Sequence, residues 1–274
     1  MIFLKKILFT FCFIILIVAT SNAQNDSSFK FIKIIKGNFT HFAVDNLDNI
    51  YLLTTGNQLK KINNNGDSAG IFNDVKRYGY PSSIDVNNPL KILLYYKNYS
   101  TVVVLDRFLN MRNTINFRKQ NIFTVNAIST SYDNNIWLFD EQNLKLKKID
   151  DEGKVLQETI DWRNLFDTVP SPAKIIDRDN LVYVYDTAKG FFIFDYYNSF
   201  KNRLLFYGWD NIEVNAKLIY GFKNNTLLTY QLNSLLLKEY PLPDFFGKYS
   251  SIKAINGKVY LLKDDGIYQY QIIK

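Results

Sequence analysis

The chain has 274 residues with 33 lysines and arginines against 26 acidic residues, a formal net charge of +7 at pH 7. The basic residues are interspersed with acids, which argues against a nucleic-acid-binding surface. One histidine and one cysteine exclude a histidine-rich metal site, a catalytic histidine pair and a disulfide framework. A structural role is the more ordinary interpretation of His41, and a lone catalytic base is the alternative.

The first 23 residues predict a secretory signal peptide. Lys5 and Lys6 precede an apolar run at residues 7–19, and Ser21-Asn22-Ala23 supplies the small residues of a cleavage site. The apolar run is shorter than the ~20 residues that a spanning helix needs, which favours cleavage over an uncleaved anchor. We therefore expect an exported bacterial protein of the periplasm, cell envelope or extracellular space, without a transmembrane segment after cleavage.

Residues 24–274 repeat one unit with a period near 40. A polar turn precedes an alternating strand in each unit, and an aliphatic residue opens that strand. These opening residues are Ile50, Ile92, Ile136, Leu181, Leu218 and Val259. Several short strands per period, without helical periodicity, are typical of β-propeller blades with four strands each.

The periods predict a single all-β domain, a six-bladed β-propeller. The expected blades lie at about residues 39–74, 82–117, 124–160, 172–207, 212–242 and 250–274. The last period has room for three strands only, while a strand-like run at about residues 29–36 precedes the first blade. We predict that this N-terminal strand completes the sixth blade and closes the ring. Seven irregular blades or a β-sandwich are the alternatives.

The turns Asp45-Asn46-Leu47-Asp48-Asn49-Ile50-Tyr51 and Tyr132-Asp133-Asn134-Asn135-Ile136-Trp137 resemble repeats of six-bladed bacterial propellers of the NHL and regulator-propeller type. Those repeats usually place glycine where this chain has Asp48, Asn134 and Asp179. Asparagine and aspartate tolerate the left-handed backbone that glycine would supply. The resemblance implies a fold only, because propellers carry many unrelated functions.

Oxygen ligands are the remaining candidates for a metal site. Asp133, Asp177 and Asp179 could hold calcium together with neighbouring asparagines, but the strict ligand alternation of calcium loops is missing. Side-chain-to-backbone turns are the more ordinary interpretation. We therefore predict no metal site and no cofactor, with calcium as the one alternative.

The connections from each outer strand to the next inner strand are the longest and least repetitive segments. Loops that deviate from a repeat often carry function, and these contain tyrosine, tryptophan and arginine, which are enriched in binding hot spots. The predicted partner-binding residues are Arg77, Tyr78, Tyr80, Arg118, Trp162, Arg163, Trp209, Phe245 and Tyr249. The alternative for each aromatic residue is packing between blades.

These features favour a non-enzymatic binding module or scaffold of the cell envelope, with a protein or polysaccharide partner and no nucleic acid. The alternative is a propeller enzyme resembling lactonases or glycan lyases, with carboxylates and a divalent ion at the central channel.

Overall fold

The computed structural model describes residues 28–73 and 77–273. In this part of the chain, 24 strands, numbered β1 to β24 in chain order, form six antiparallel sheets of four strands each. The sheets are the blades of a β-propeller, so the predicted fold class is confirmed. The predicted signal peptide lies outside the described residues. Within the described ranges, no helix has the length and apolarity to span a membrane.

Each of the first five blades consists of four consecutive strands, the innermost first. Blade 1 contains β2 (Phe39–Val44), β3 (Ile50–Thr54), β4 (Leu59–Ile62) and β5 (Ser68–Phe72). Blade 2 contains β6 (Ser83–Asn88), β7 (Lys91–Tyr96), β8 (Thr101–Asp106) and β9 (Met111–Asn116). Blade 3 contains β10 (Val125–Thr130), β11 (Ile136–Asp140), β12 (Lys145–Ile149) and β13 (Val155–Glu158).

Blades 4 and 5 continue this order. Blade 4 contains β14 (Lys174–Arg178), β15 (Leu181–Asp186), β16 (Gly190–Asp195) and β17 (Phe200–Leu204). Blade 5 contains β18 (Asp210–Asn215), β19 (Leu218–Lys223), β20 (Thr226–Gln231) and β21 (Leu236–Pro241).

Blade 6 joins the two ends of the described chain. Its inner strands are β22 (Ser251–Ile255), β23 (Lys258–Lys263) and β24 (Gly266–Ile272), and its outer strand is β1 (Phe29–Lys36). β1 runs antiparallel to β24, with Phe29 opposite Ile272 and Lys36 opposite Gly266. The predicted closure of the ring by the N-terminal strand is therefore confirmed.

The apolar core lies between the blades, because each blade buries its two faces against its two neighbours. Among the described residues, six clusters of buried side chains each join two neighbouring blades. In one of them, Trp137 and Phe139 of blade 3 pack with Val182 and Phe192 of blade 4. The cluster between blades 6 and 1 closes the ring in the same way.

The polar turns between inner strands have the backbone that the sequence indicated. Asp48 and Asn134 have φ angles of 62°, and Asp179 has 56°. All three residues therefore adopt the left-handed conformation in place of the glycine that related repeats use.

Gly266 gives a test of the closing contact. A Cβ at this residue would lie 2.2 Å from the carbonyl oxygen of Ile35 in β1. Gly66 also has a positive φ, but a Cβ there meets no atom within 4 Å. We expect Gly66→Ala to cost about 1 kcal/mol of unfolding free energy through backbone strain. Gly266→Ala should cost more than about 3 kcal/mol, because it also displaces β1. Denaturant unfolding measures both, and equal losses would contradict the role of this contact.

Candidate functional site

The loops of the propeller form two faces. We call one the connection face: it contains the loops between second and third strands and the connections from each outer strand to the next inner strand. The other is the hairpin face, which contains the loops between first and second strands and between third and fourth strands. All of the predicted partner-binding residues belong to segments of the connection face.

Four predicted residues gather beside blade 2 on the connection face. The guanidinium of Arg77 lies 5.4 Å from the centroid of the Tyr78 ring. Tyr78 meets Tyr99 edge to face, with 6.0 Å between ring centroids. Tyr80 follows in the same connection and is 54% exposed, as Tyr99 is 53% exposed. Arg118 donates from Nε to the hydroxyl of Ser100, next to Tyr99, at 3.3 Å. We call Arg77, Tyr78, Tyr80, Tyr99 and Arg118 the blade-2 patch.

Three other predicted residues lie elsewhere on this face. Arg163 is exposed in the connection from blade 3 to blade 4, where its guanidinium pairs with Asp161. Phe245 is exposed beyond blade 5 and packs against Tyr270. Tyr249 is partly buried against the core between blades 5 and 6. In the described part of the chain, no ring contact or hydrogen bond connects these residues to the blade-2 patch.

Two predicted residues are buried. Trp162 has 0% exposure, and its indole Nε1 donates to Thr159 Oγ1 at 2.9 Å. Its ring stacks on Phe194 of blade 4, 5.2 Å between centroids. Trp209 is 4% exposed and stacks on Phe206 at 4.6 Å. These tryptophans fill the gaps between blades, which was the alternative for each aromatic residue, so their surfaces are not available to a partner.

The inner strands carry charged groups around the axis of the ring. Lys174 Nζ of β14 lies 3.2 Å from Glu213 Oε1 of β18, and Lys253 Nζ of β22 lies 3.5 Å from the same oxygen. On the opposite side, Asp85 of β6 accepts a hydrogen bond from Thr130 Oγ1 of β10 at 2.7 Å. These contacts join the inner strands of neighbouring blades around the channel, blades 4, 5 and 6 in one group and blades 2 and 3 in the other.

The pKa values of these groups reflect burial and pairing. Burial opposes ionisation of Glu213, but Lys174 and Lys253 outweigh it and hold the pKa of Glu213 below its ordinary value. Burial lowers the pKa of Lys253, with the nearby charge of Lys174 acting in the same direction. Burial raises the pKa of Asp85 despite the hydrogen bond from Thr130. The carboxylates of the channel are therefore engaged by protein groups.

The calcium candidates make hydrogen bonds and an ion pair with the protein. Asp133 pairs with Lys148 at 2.9 Å, and Asp179 accepts from the backbone N–H of Lys217 at 2.6 Å. Within residues 28–73 and 77–273, no group of three or more histidine, cysteine or acidic side chains could hold a metal ion. His41 is exposed on β2, so its predicted structural role has no buried contact to support it.

A cleft that the sequence did not indicate lies on the hairpin face. It has a volume of ≈ 320 Å³ and opens where the inner hairpins of blades 2, 3 and 4 meet at the mouth of the channel. Its lining is mostly polar and comprises Asn87, Asn88, Pro89, Thr130, Ser131, Tyr132, Asp177, Arg178, Asp179, Asn180 and Tyr196. We call it the channel-mouth cleft. The one sequence feature that could have indicated this cleft is the high content of Asn, Asp and Arg in the inner turns. Ordinary turns without a ligand site are also rich in Asn and Asp.

No known protein family matches the chain, and no curated protein matches it. Several solved structures share its fold. Virginiamycin B lyase of Staphylococcus aureus is 13% identical, with a TM-score of 0.56 over 85% of this chain and 80% of that chain. A Bacteroides fragilis protein named as exported is 11% identical, with a TM-score of 0.58 over 93% and 98%. The Pan2 WD40 domain of Neurospora crassa is 10% identical, with a TM-score of 0.57 over 90% and 98%. At these identities the similarity shows the propeller fold alone.

Substitutions of Trp162 and Arg163 should have very different effects on stability, although the two residues are adjacent in the chain. Trp162→Ala removes a buried ring and should lower the unfolding free energy by about 3–5 kcal/mol. Arg163→Ala removes a solvent-exposed ion pair and should leave the melting temperature nearly unchanged. Thermal melting of both variants checks this, and similar stabilities would show that Trp162 does not pack between blades.

Glu213→Gln tests the charged group that joins the inner strands of blades 4, 5 and 6. It leaves two ammonium groups without their carboxylate and should cost about 3 kcal/mol at pH 7. Because the pKa of Glu213 is lowered in the fold, its contribution is complete above the ordinary glutamate pKa of about 4.3 and is lost below it. The stability gap between wild type and variant should therefore narrow below about pH 4. Exposed Glu239, replaced by glutamine, is the control, and a pH-independent gap would contradict the pairing.

Proposed function

We propose that this chain is an exported β-propeller that works as a binding module or scaffold of the bacterial cell envelope and engages a macromolecular partner through its connection face. The observation that carries the proposal is the blade-2 patch, where two tyrosines and two arginines from three separate segments come together and exposed Tyr80 lies in the same connection as Tyr78. A protein loop is the partner that this patch suits best, and a polysaccharide is the alternative.

The composition of the patch supports this role. Tyrosine and arginine offer large contact areas and several hydrogen-bond donors, while a tyrosine side chain loses little conformational freedom on binding. The ring contacts between Tyr78 and Tyr99 and the cation–π contact from Arg77 hold these groups in place before a partner arrives. Such preorganisation lowers the entropic cost of association.

A propeller enzyme is the less favoured function. Lactonase-like or lyase-like chemistry at the channel would need carboxylates that are free to act on a substrate or an ion. Glu213 is neutralised by two lysines, and Asp85 is held by donors from Thr130 and Asn87. These contacts favour structural roles for Glu213 and Asp85.

Partner capture tests the proposal. Protein produced from the full-length sequence is immobilised, exposed to detergent-solubilised envelope extract of the producing bacterium, and compared with a Tyr80→Ala, Tyr99→Ala variant. We expect one dominant species to be retained by the wild type and lost by the variant. Each hot-spot residue contributes about 2 kcal/mol, or roughly 30-fold in Kd.

Tyr197→Ala is the matched control, because Tyr197 is 88% exposed and lies on the hairpin face. Retention by this control with loss in the patch variant supports the assignment. Equal retention by all three proteins would remove the blade-2 patch from the binding surface. Protease treatment of the extract then separates a protein partner from a polysaccharide.

A further inference from the structure

We propose that the channel-mouth cleft is a second binding site, selective for a neutral saccharide. It lies on the hairpin face, while the blade-2 patch lies on the connection face, so this inference stands independently of the proposed function. Its volume of ≈ 320 Å³ falls within the range of small-ligand sites, about 300–1,000 Å³.

Arg178 is the first reason to expect a ligand. Its side chain leaves β14 in blade 4 and reaches blade 2, where Nη2 donates to the carbonyl oxygen of Asn87 at 2.7 Å. Its Nε is buried and has no hydrogen-bond partner among the described residues. A buried donor without a partner is costly, so such a group in a polar cleft calls for an acceptor from outside the protein. Arg178 lines the cleft, so a modest shift of its side chain would bring the buried Nε within reach of a ligand hydroxyl there.

The geometry of the remaining polar groups suits a ligand with neighbouring hydroxyls. A sugar presents vicinal hydroxyls, each both donor and acceptor, which match planar side chains carrying paired polar atoms. The cleft is lined by guanidinium, carboxylate and amide groups of this kind from Arg178, Asp179 and Asn180 in one turn. The amides of Asn87 and Asn88 across from this turn are held by the protein, because Asn87 Nδ2 donates to Asp85 and Ser129 and Asn88 Nδ2 donates to Asn134.

The turn that carries these groups is rigid. Asp179 and Asn180 have φ angles of 56° and 67°, so they form the tight turn of two left-handed residues between β14 and β15. Asp179 is fixed by its hydrogen bond from the backbone of Lys217 in blade 5. The polar groups are therefore positioned before binding, which lowers the cost of ordering them.

The part of the cleft between blades 3 and 4 is held by a buried carboxylate. Asp177 accepts hydrogen bonds from the Trp137 indole at 2.8 Å and from the Tyr196 hydroxyl at 3.0 Å. The Tyr196 ring in turn stacks on Tyr132, with 3.8 Å between centroids and an interplanar angle of 4°. This stacked pair supplies an aromatic part of the lining, and an outer ring face that the stacking leaves uncovered can receive the C–H groups of a sugar.

The lining argues against other ligand classes. One arginine faces two aspartates, Asp177 and Asp179, so a phosphate or carboxylate gains no net attraction there. The two aspartates already accept hydrogen bonds from the protein, which disfavours a metal ion. Apart from Pro89 and the tyrosine rings, the lining side chains are polar, which disfavours an apolar ligand.

Titration calorimetry tests the proposal on protein produced from the full-length sequence. The probes are neutral trisaccharides of glucose, galactose, mannose and N-acetylglucosamine, with uronic-acid trisaccharides and tripeptides as counterparts. We expect at least one neutral trisaccharide to bind and the counterparts to fail. Arg178→Lys keeps the charge but removes Nε and the planar fork, and should weaken binding roughly tenfold.

Asn180→Gly is the second variant, because glycine accepts the left-handed backbone while the amide is lost. It too should weaken binding without changing the melting temperature. Arg112→Lys, at a side chain 69% exposed on an outer strand, and Asn224→Gly, in a turn of the connection face, are the matched controls and should bind as the wild type does. Binding of only the acidic or peptide probes, binding of no neutral saccharide, or wild-type affinity in both cleft variants would overturn the proposal.

Discussion

The blades of this propeller can bury their apolar faces only against one another, and the whole structure depends on that constraint. A sheet with two apolar faces needs a neighbour on each side. A row of blades therefore buries all of its apolar faces only when it closes into a ring. The six interblade clusters are the outcome, and β1 completes the last of the sheets. Trp162 and Trp209 take part in the same packing, although they lie in connections between blades.

Because the blades alone close the ring, the loops can vary in length and sequence, and the two faces differ in the loops they carry. The connection face has long segments without a repeat, where exposed tyrosine and arginine side chains gather beside blade 2. The hairpin face has short inner turns, and a cleft forms there because polar turns of three blades meet near the axis. Between the faces, Glu213 and its two lysines connect inner strands of three blades. The same ring thus carries one mainly aromatic surface and one mainly polar cleft.

Much of the fold could be predicted from the sequence because it depends on local patterns. The period near 40 residues and the missing strand of the last blade led to six blades and a closing N-terminal strand. The left-handed turns at Asp48 and Asn134 were indicated by residue types that tolerate this backbone at a place where similar repeats usually have glycine. The binding residues were harder to predict from the sequence. A tryptophan in a connection can either face solvent or fill a gap between blades, and only the packing of the folded chain decides between these two positions. Arg178 and Asn87 meet across an intervening blade, so no local pattern indicates the cleft.

The closing strand also has a consequence for how the chain folds. β1 is the first of the described strands to be synthesised, but its partner β24 is the last. Blades 1 to 5 each contain strands that are consecutive in sequence and can pair soon after they emerge. The final sheet must bring together the most distant strands, at a high entropic cost of loop closure. We therefore expect ring completion to be the slowest of these pairing steps, with the edge of β24 open to pairing with another chain until it occurs.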